Sequence, residues 1–274
     1  MIRRGLAREV FAPVLCVCAF LFAQCLQAQD QRLAPAFEVD IQAPAEAKTT
    51  LQRHLELMRY RELTDLDNTE LNRLLVAAEQ NARELLGTLG YFSPDVALAL
   101  QDAPPGSVAP RRVTITVQPG PATLVRNVAI DFLGAIREDP SSAAQREAIR
   151  SNWPLQAGLR FTQVAWDDAK AQALRLLGAT RYAVGQIASS RAEIDPLTHS
   201  ASLAVTLDSG PAYRLGQTRV SGLVHYDTAL VERLARLNPG ADYDQTRLLE
   251  AQQRLQDSGY FDSVFITLDT TGEP

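Results

Sequence analysis

The chain is poor in the residues that build metal, redox and catalytic sites. Its three cysteines are Cys16, Cys18 and Cys25, and its three histidines are His54, His199 and His225. All the cysteines fall within the first 25 residues, and the histidines lack the spacing of a metal-ligand set. The sequence also lacks a Gly-x-Ser-x-Gly elbow, a phosphate loop and an EF-hand loop. It therefore predicts no catalytic residue, no cofactor and no metal site, and gives no support to an enzyme.

The cysteines lie in a segment, residues 1–28, that has the features of a secretory signal peptide. Three arginines precede an apolar run of fourteen residues that starts at Val10 and contains Pro13. A membrane-spanning helix needs roughly 18–20 apolar residues, so a cleaved leader is favoured over a retained anchor. The leader carries three arginines and Glu9, a net +2, and its removal changes the formal charge from −5 to −7. We therefore expect an acidic, cysteine-free exported chain that binds nucleic acid poorly.

An internal repeat organises the rest of the chain. Leucine and alanine follow helical spacing up to Leu89, and after Gly90 the period changes to two, as in a half-buried strand. Residues 253–268 repeat this order around Gly259. A weaker copy at 175–187 carries Arg181 in place of the glycine, so its helix is predicted to end earlier, at Gly178.

A Gly-Pro-Ala tripeptide recurs at Gly120 and Gly210, ninety residues apart, and sets the length of the repeat. The predicted fold class is α+β, with tandem βααββ units at 33–120, 121–210 and 211–274, each a three-stranded sheet covered by two helices. The predicted strands are 37–41, 91–100, 112–117, 125–132, 182–190, 201–207, 213–220 and 260–269. The predicted helices are 45–60, 69–89, 140–151, 162–177, 228–237 and 245–258. The third unit has no sequence for its closing strand, so we expect it to be marginally stable and the chain to be a truncated product.

Units of this order, joined by Gly-Pro-Ala, resemble the POTRA domains of outer-membrane assembly proteins. The repeated motif that carries the resemblance consists of Gly90, Tyr91, Phe92, Gly178, Tyr182, Gly259, Tyr260 and Phe261. The third unit, with GPAYRLGQTRVSG, LNPGADYD and QRLQDSGYFDSV, resembles most the barrel-adjacent domain of the TamA branch, and three units also suit that branch better than the BamA branch, which usually has five. The first unit departs from the pattern, because it lacks the Leu-x-x-Gly turn between its helices.

The resemblance implies a periplasmic arm, joined to the outer membrane through a barrel, that hands unfolded outer-membrane or autotransporter clients to that barrel. It also implies docking of an inner-membrane-anchored TamB-like partner. The alternatives are the POTRA region of a two-partner secretion transporter or of a BamA-type protein, and a non-transport periplasmic scaffold. Three units and a cleavable leader favour the assembly branch over the two-partner secretion transporter and over the scaffold.

The residues themselves suggest how such an arm would bind. A three-stranded sheet leaves unpaired edges, and an edge accepts an incoming strand by backbone hydrogen bonds with little dependence on sequence. The predicted partner-binding edge is Val96, Ala97, Leu98, Ala99 and Leu100. We expect proline at Ala97 or Ala99 to weaken partner binding more than serine at the same position.

Other conspicuous side chains are predicted to be structural. The aromatic residues Tyr91, Phe92, Tyr182, Tyr260 and Phe261 are interpreted as core. Trp153 and Trp166 are predicted to pack the turn between two helices. The pairs Asp65/Asp67 and Asp167/Asp168 are interpreted as helix-capping or dipole-compensating carboxylates.

Overall fold

The structure is a computed structural model, and it describes residues 35–63 and 65–270. The predicted signal peptide and the three cysteines lie outside the described residues. The strands are β1 (Glu38–Gln42), β2 (Asp95–Asp102), β3 (Arg111–Gln118), β4 (Leu124–Leu133), β5 (Gln186–Asp195) and β6 (Ser200–Asp208). The α-helices are α1 (Ala45–His54), α2 (Asn68–Thr88), α3 (Ala135–Glu138), α4 (Ala143–Ser151), α5 (Gln163–Gly178), α6 (Thr228–Ala235) and α7 (Gln245–Asp257).

The strands form two three-stranded sheets of the same topology. In the first sheet the order is β1-β3-β2, and in the second it is β4-β6-β5. The closing strand of each unit pairs parallel with the opening strand and antiparallel with the strand before it. This confirms the α+β fold class, and it places the closing strands β3 and β6 at the centre of their sheets.

One face of each sheet packs against the helices of its own unit. In β3 the buried residues alternate, with Val113, Ile115 and Val117 facing the helices while Thr116 is exposed. The period of two allows one face to be buried and the other to stay in water. Two separate cores result, and each contains seventeen buried residues among those that the structure describes.

The helix predicted at 45–60 is wrong in its second half. Helix α1 ends at His54, and a 3-10 helix at Glu56–Glu62 follows it. Leu55 and Leu57 are both 2% exposed, yet residues two apart lie on opposite sides of an α-helix. The extended conformation of Leu55 at the break lets both side chains reach the core.

Helix α2 begins as predicted, because the Asp67 carboxylate accepts a hydrogen bond of 2.7 Å from the backbone N–H of Glu70. The prediction for Asp167 was wrong, since Thr162 caps helix α5. Asp167 lies inside that helix, where it accepts a hydrogen bond from Gln163 and pairs with Lys170 at 2.9 Å. Helix α5 ends at Gly178, which confirms the early end predicted there.

The strands predicted to start at Tyr91 and Tyr182 start four residues later, at Asp95 and Gln186. Tyr182 is fully buried, and its hydroxyl lies 2.6 Å from the Ser142 hydroxyl. Tyr91 and Tyr182 therefore belong to the connections between helix and strand and not to the strands themselves.

The third unit forms its two helices, but the strands predicted at 213–220 and 260–269 were wrong. Within the part of the chain that the structure describes, Arg214 makes only an isolated bridge to Asp242, and 260–269 pairs with no strand. Backbone hydrogen bonds join Tyr213 and Leu215 to residues 240–243, but within the described residues this pairing amounts to an isolated bridge and not to a strand. The described core of this unit is correspondingly small, with four buried residues: Val231, Ala235, Ala251 and Leu255.

Candidate functional site

Strand β2 lies at the open edge of the first sheet, beside β3. Its register with β3 is continuous from Asp95 opposite Gln118 to Asp102 opposite Arg111. Just beyond that end, the Ala103 N–H donates to the Pro110 carbonyl at 3.0 Å. In an antiparallel pair of strands, every second pair of opposite residues is hydrogen-bonded. Because Ala103 belongs to such a pair, the odd-numbered residues of β2 also direct their backbone N–H and C=O groups toward β3. The N–H and C=O groups of Val96, Leu98 and Leu100 therefore point away from the sheet.

This alternation corrects the proline test that the sequence suggested. The amides of Ala97 and Ala99 face β3, opposite Thr116 and Thr114. Proline at either position would remove an internal sheet bond and would not remove a donor from the free edge. The informative positions are Leu98 and Leu100, whose side chains pack partly against the helices.

The other three edges are less suited to strand addition. Strand β1 has only five residues. Strand β4 is covered at its start, because the Val125 N–H donates to Leu159 O and the Gly158 N–H donates to Val125 O, both at 2.8 Å. The register of β5 shifts between Ile187 and Ser189, and such irregularities commonly blunt an edge. Strand β2 is the long edge with an uninterrupted register.

The repeated glycine motif lies at the junction between the first and second units. The Thr123 N–H donates to the Gly90 carbonyl, and the Phe161 N–H donates to the Thr123 carbonyl, both at 2.9 Å. Phe92 leaves the first core and packs against the second, with its ring centroid 5.9 Å from that of Phe161. A Cβ on Gly90 would lie 2.0 Å from the Phe161 oxygen. Glycine is therefore required here by a close approach of two backbones.

Arg160 fastens the same junction from the side of the second unit. Its Nε donates to the Leu89 carbonyl at 2.9 Å, at the end of helix α2. Its Nη1 lies 3.0 Å from Glu46 Oε2, and its guanidinium lies 4.5 Å from the ring centroid of Tyr91. A cation at a helix C-terminus complements the partial negative charge of the carbonyls there.

The junction between the second and third units repeats these hydrogen bonds. The Tyr213 N–H donates to the Arg181 carbonyl at 2.6 Å, and the Tyr243 N–H donates to the Tyr213 carbonyl at 3.0 Å. Arg181, at the position of Gly90, adopts a left-handed φ of 61° despite its Cβ. Its Nη1 contacts Asp139 Oδ2 at 2.5 Å, and its Nε forms an ion pair at 3.5 Å with Asp242 Oδ2.

The pKa values around this second junction follow from its contacts. The Ser141 hydroxyl and backbone N–H donate to Asp139, and with Arg181 they lower the pKa of that carboxyl. The pKa of Arg181 is raised by Asp139 against the opposing effect of its burial. The carboxylate and guanidinium thus remain charged at neutral pH.

The aromatic residues of the repeat do not share one environment. Tyr182 is fully buried, and Tyr91 and Phe92 are partly buried against the two cores, as predicted. Tyr260 is 49% exposed and stacks edge to face with Tyr226 at 5.3 Å, so the prediction that it is core was wrong. Phe261 is partly buried against the third core. Trp153 and Trp166 are buried in T-shaped contact at 5.9 Å, which confirms their packing role.

Sequence reasoning missed that Thr123, Arg160 and Phe161 complete the junction with Gly90. The Gly-Pro-Ala tripeptide before Thr123 and the Leu-x-x-Gly turn before Phe161 were both visible as repeats. In both junctions, the glycine-motif position of one unit is followed by the Gly-Pro-Ala tripeptide and the Leu-x-x-Gly turn of the next unit. This shared order was the signal that could have identified a contact between units.

Two absences concern ligands and membranes. Among residues 35–63 and 65–270, no cluster of three His, Cys, Asp or Glu side chains has the arrangement to hold a metal ion. No helix in the described ranges combines the length and apolar character that crossing a membrane requires.

The fold and its junctions define a tandem array of small α+β modules, in which the first two each have a central closing strand and successive modules dock through one motif. Two family models match parts of this array. Residues 38–119 match the model described as POTRA domain TamA domain 1, and residues 213–273 match the POTRA model described as surface antigen variable number repeat. The chain therefore carries POTRA domains.

Several solved structures are similar to this chain. The crystal structure of Haemophilus influenzae BamA POTRA3-5 aligns at 18% identity with a TM-score of 0.48, covering 88% of this chain and 92% of that one. The N-terminal domain of Omp85 from Thermosynechococcus elongatus aligns at 16% identity with a TM-score of 0.33, covering 85% and 88%. CdiB from Escherichia coli aligns at 13% identity with a TM-score of 0.28, covering 63% of this chain and 26% of that one.

Proposed function

We propose that this chain is the periplasmic POTRA arm of an outer-membrane protein or autotransporter assembly and translocation factor. It binds extended segments of unfolded clients or of a TamB-like partner by adding them as a strand to β2. The match of residues 38–119 to a TamA-type POTRA model favours the TamA branch over a BamA-type protein. The three units proposed are 33–120, 121–210 and 211–274.

The observation that carries this proposal is the uninterrupted, outward-facing edge of β2. Leu98 and Leu100 each present an N–H and a C=O to solvent, and an added strand could satisfy all four groups. Backbone pairing depends little on client sequence, which suits a receiver of many clients. The exposed face around Ala97 and Ala99 leaves room for client side chains.

Replacing Leu100 by proline tests strand addition, because it removes one outward N–H from the edge. Leu100→Ala is the matched control, since it removes the same side chain and keeps the donor. The probe is a fluorescent ten-residue peptide of alternating valine and threonine, followed by anisotropy. We expect Leu100→Pro to weaken binding about fivefold relative to Leu100→Ala, the effect of one hydrogen bond worth ~1 kcal/mol. Equal affinities of the two variants would indicate side-chain recognition instead.

The proposal also predicts a protein without enzymatic activity. Purified protein should show no hydrolase, transferase or metal-dependent turnover, and it should retain no metal in stoichiometric amount after dialysis. Metal analysis of the dialysed protein checks this directly, and one bound ion per chain would contradict it.

A further inference from the structure

Arg83, on helix α2, reaches around the start of the β2 edge. Its Nη1 donates to the Pro94 carbonyl at 2.5 Å, and its Nη2 lies 3.5 Å from the Val96 carbonyl. Both carbonyls belong to even-numbered residues, whose backbone groups point away from β3. The Arg83 guanidinium therefore occupies acceptor sites that a strand added to β2 would otherwise use.

The side chain of Arg83 is anchored in this position. Its Nη2 lies 2.9 Å from Glu79 Oε1, one helical turn earlier, and its Nε lies 3.3 Å from the same oxygen. The arginine side chain is 37% exposed, so solvent screens this ion pair without abolishing it. Leu98 is consequently the first β2 residue whose outward N–H and C=O are not engaged by Arg83.

The same helical position contacts the corresponding chain segment in the third unit. Gln252 stands seven residues before Gly259, as Arg83 stands seven residues before Gly90. Its Oε1 accepts a hydrogen bond of 3.2 Å from the Ile266 N–H, in the segment that follows the glycine. In the second unit this position is Leu174, whose side chain packs partly against the core.

We propose that Arg83 is a specificity-determining residue that closes the start of the β2 edge and limits strand addition to Leu98–Asp102. This inference rests on the strand addition proposed above, with an extended polypeptide segment as the ligand. The shortened edge sets where an added strand ends, because a strand that continues toward Val96 must displace a guanidinium held by Glu79. Arg83 thereby fixes the register of the ligand and keeps its affinity low.

Replacing Arg83 by methionine tests the inference, because methionine keeps an apolar stem and removes all donors. Arg73→Met is the matched control, since Arg73 is exposed on the same helix. The measurements use the full chain: anisotropy with the valine–threonine peptide, and hydrogen exchange of the β2 amides with and without it. We expect Arg83→Met to bind the peptide about five- to tenfold more tightly, the effect of removing a competing charged hydrogen bond. Protection should extend to the Val96 amide, while Arg73→Met should behave like the unmodified protein.

A second variant, Glu79→Gln, keeps Arg83 and weakens its anchor, so it should give an intermediate gain even if Arg83→Met destabilises the unit. If the unmodified protein binds at Leu98 and Leu100 but neither variant binds more tightly, the role of Arg83 is overturned and strand addition stands. If Arg83→Met binds more weakly, Arg83 contacts the ligand and does not close the edge. If no protein shows peptide-dependent protection of Leu98 and Leu100, both proposals are overturned.

Discussion

Gly90 and Gly259 stand at equivalent places in the repeat, but their surroundings differ. Both adopt a left-handed φ, of 87° and 71°. A Cβ on Gly90 would collide with the Phe161 carbonyl, whereas a Cβ on Gly259 would meet nothing within 4 Å. The first glycine is needed for conformation and for space, and the second for conformation alone.

Alanine at the two glycines should separate these two requirements. We expect Gly259→Ala to cost about 1 kcal/mol of unfolding free energy, the usual penalty for a left-handed residue with a Cβ. Gly90→Ala should cost about 3 kcal/mol or more, because the junction must also open to relieve the clash. Urea denaturation of the two variants checks the difference. A cost for Gly90→Ala no larger than that for Gly259→Ala would show that the junction adapts freely.

Asp139 should titrate at an unusually low pH. The Ser141 hydroxyl is the largest cause, followed by the Ser141 N–H and Arg181, and together they lower the pKa of Asp139 below its ordinary 3.8. A lowered folded pKa means that the carboxylate adds stability above pH 3.8, and that this contribution is lost as the pH falls through the folded value. Carboxyl carbon shifts recorded against pH measure it. Ser141→Ala should raise the pKa of Asp139, whereas Ser151→Ala should leave it unchanged; a wild-type midpoint at or above 3.8 would contradict the assignment.

At the scale of elements, the stability of helix α2 depends on the Asp67 carboxylate that caps its N-terminus. Asp67→Ala removes the acceptor for the Glu70 N–H and should cost about 1 kcal/mol of unfolding free energy. Asp65→Ala is the matched control two residues earlier, and it should cost less than about 0.5 kcal/mol as an exposed substitution. Thermal or urea unfolding of the two variants measures the difference between these losses. Equal losses would mean that general negative charge near the helix, and not the cap, is responsible.

The sequence predicted elements best where one period persists over several turns. Helices α2, α5 and α7 lie within one residue of their predicted bounds at each end, because their apolar stripes are long and clearly capped. The break at Leu55 was not predicted, because Leu51 and Leu55 have the i, i+4 spacing of a helix and only Leu57, two residues further on, departs from it. The starts of β2 and β5 were misplaced because the aromatic residues before them look like strand residues while serving the connections.

The candidate site was predicted as an edge but not in its backbone detail. Periodicity identifies which side chains face the core, and Val96, Leu98 and Leu100 follow it. Which β2 amides face β3 depends on how the hairpin closes. The hydrogen bond from Ala103 to Pro110 determines this, and it can be seen only in the folded structure. The role proposed for Arg83 likewise could not be predicted from the sequence, because Arg83 stands on helix α2 and its side chain reaches the start of β2 only in the folded chain.

At the scale of the whole molecule, the repeat builds one type of junction twice from different side chains. The backbone hydrogen bonds through Thr123 in the first junction match those through Tyr213 in the second. The arginine that contacts the other unit is Arg160 in the first junction and Arg181 in the second, and both belong to the second unit. Charged contacts across a junction oppose rotation of one unit against the next, so we expect them to keep the distance between the β2 edge and the second sheet within a narrow range.

Arg160→Met should therefore loosen the first junction without unfolding either unit. The variant loses the bonds to Leu89 and Glu46 but leaves the Phe92–Phe161 contact in place. Spin labels at Gln101 and Gln186, in protein with its three cysteines replaced by serine, report the distance between the units. We expect a broader distance distribution for Arg160→Met and an unchanged one for Arg126→Met, an exposed arginine on β4. An unchanged width for Arg160→Met would mean that the contacts retained by the variant, among them the backbone pairing through Thr123, the Phe92–Phe161 packing and the Ser93–Pro196 hydrogen bond, are sufficient to hold the angle.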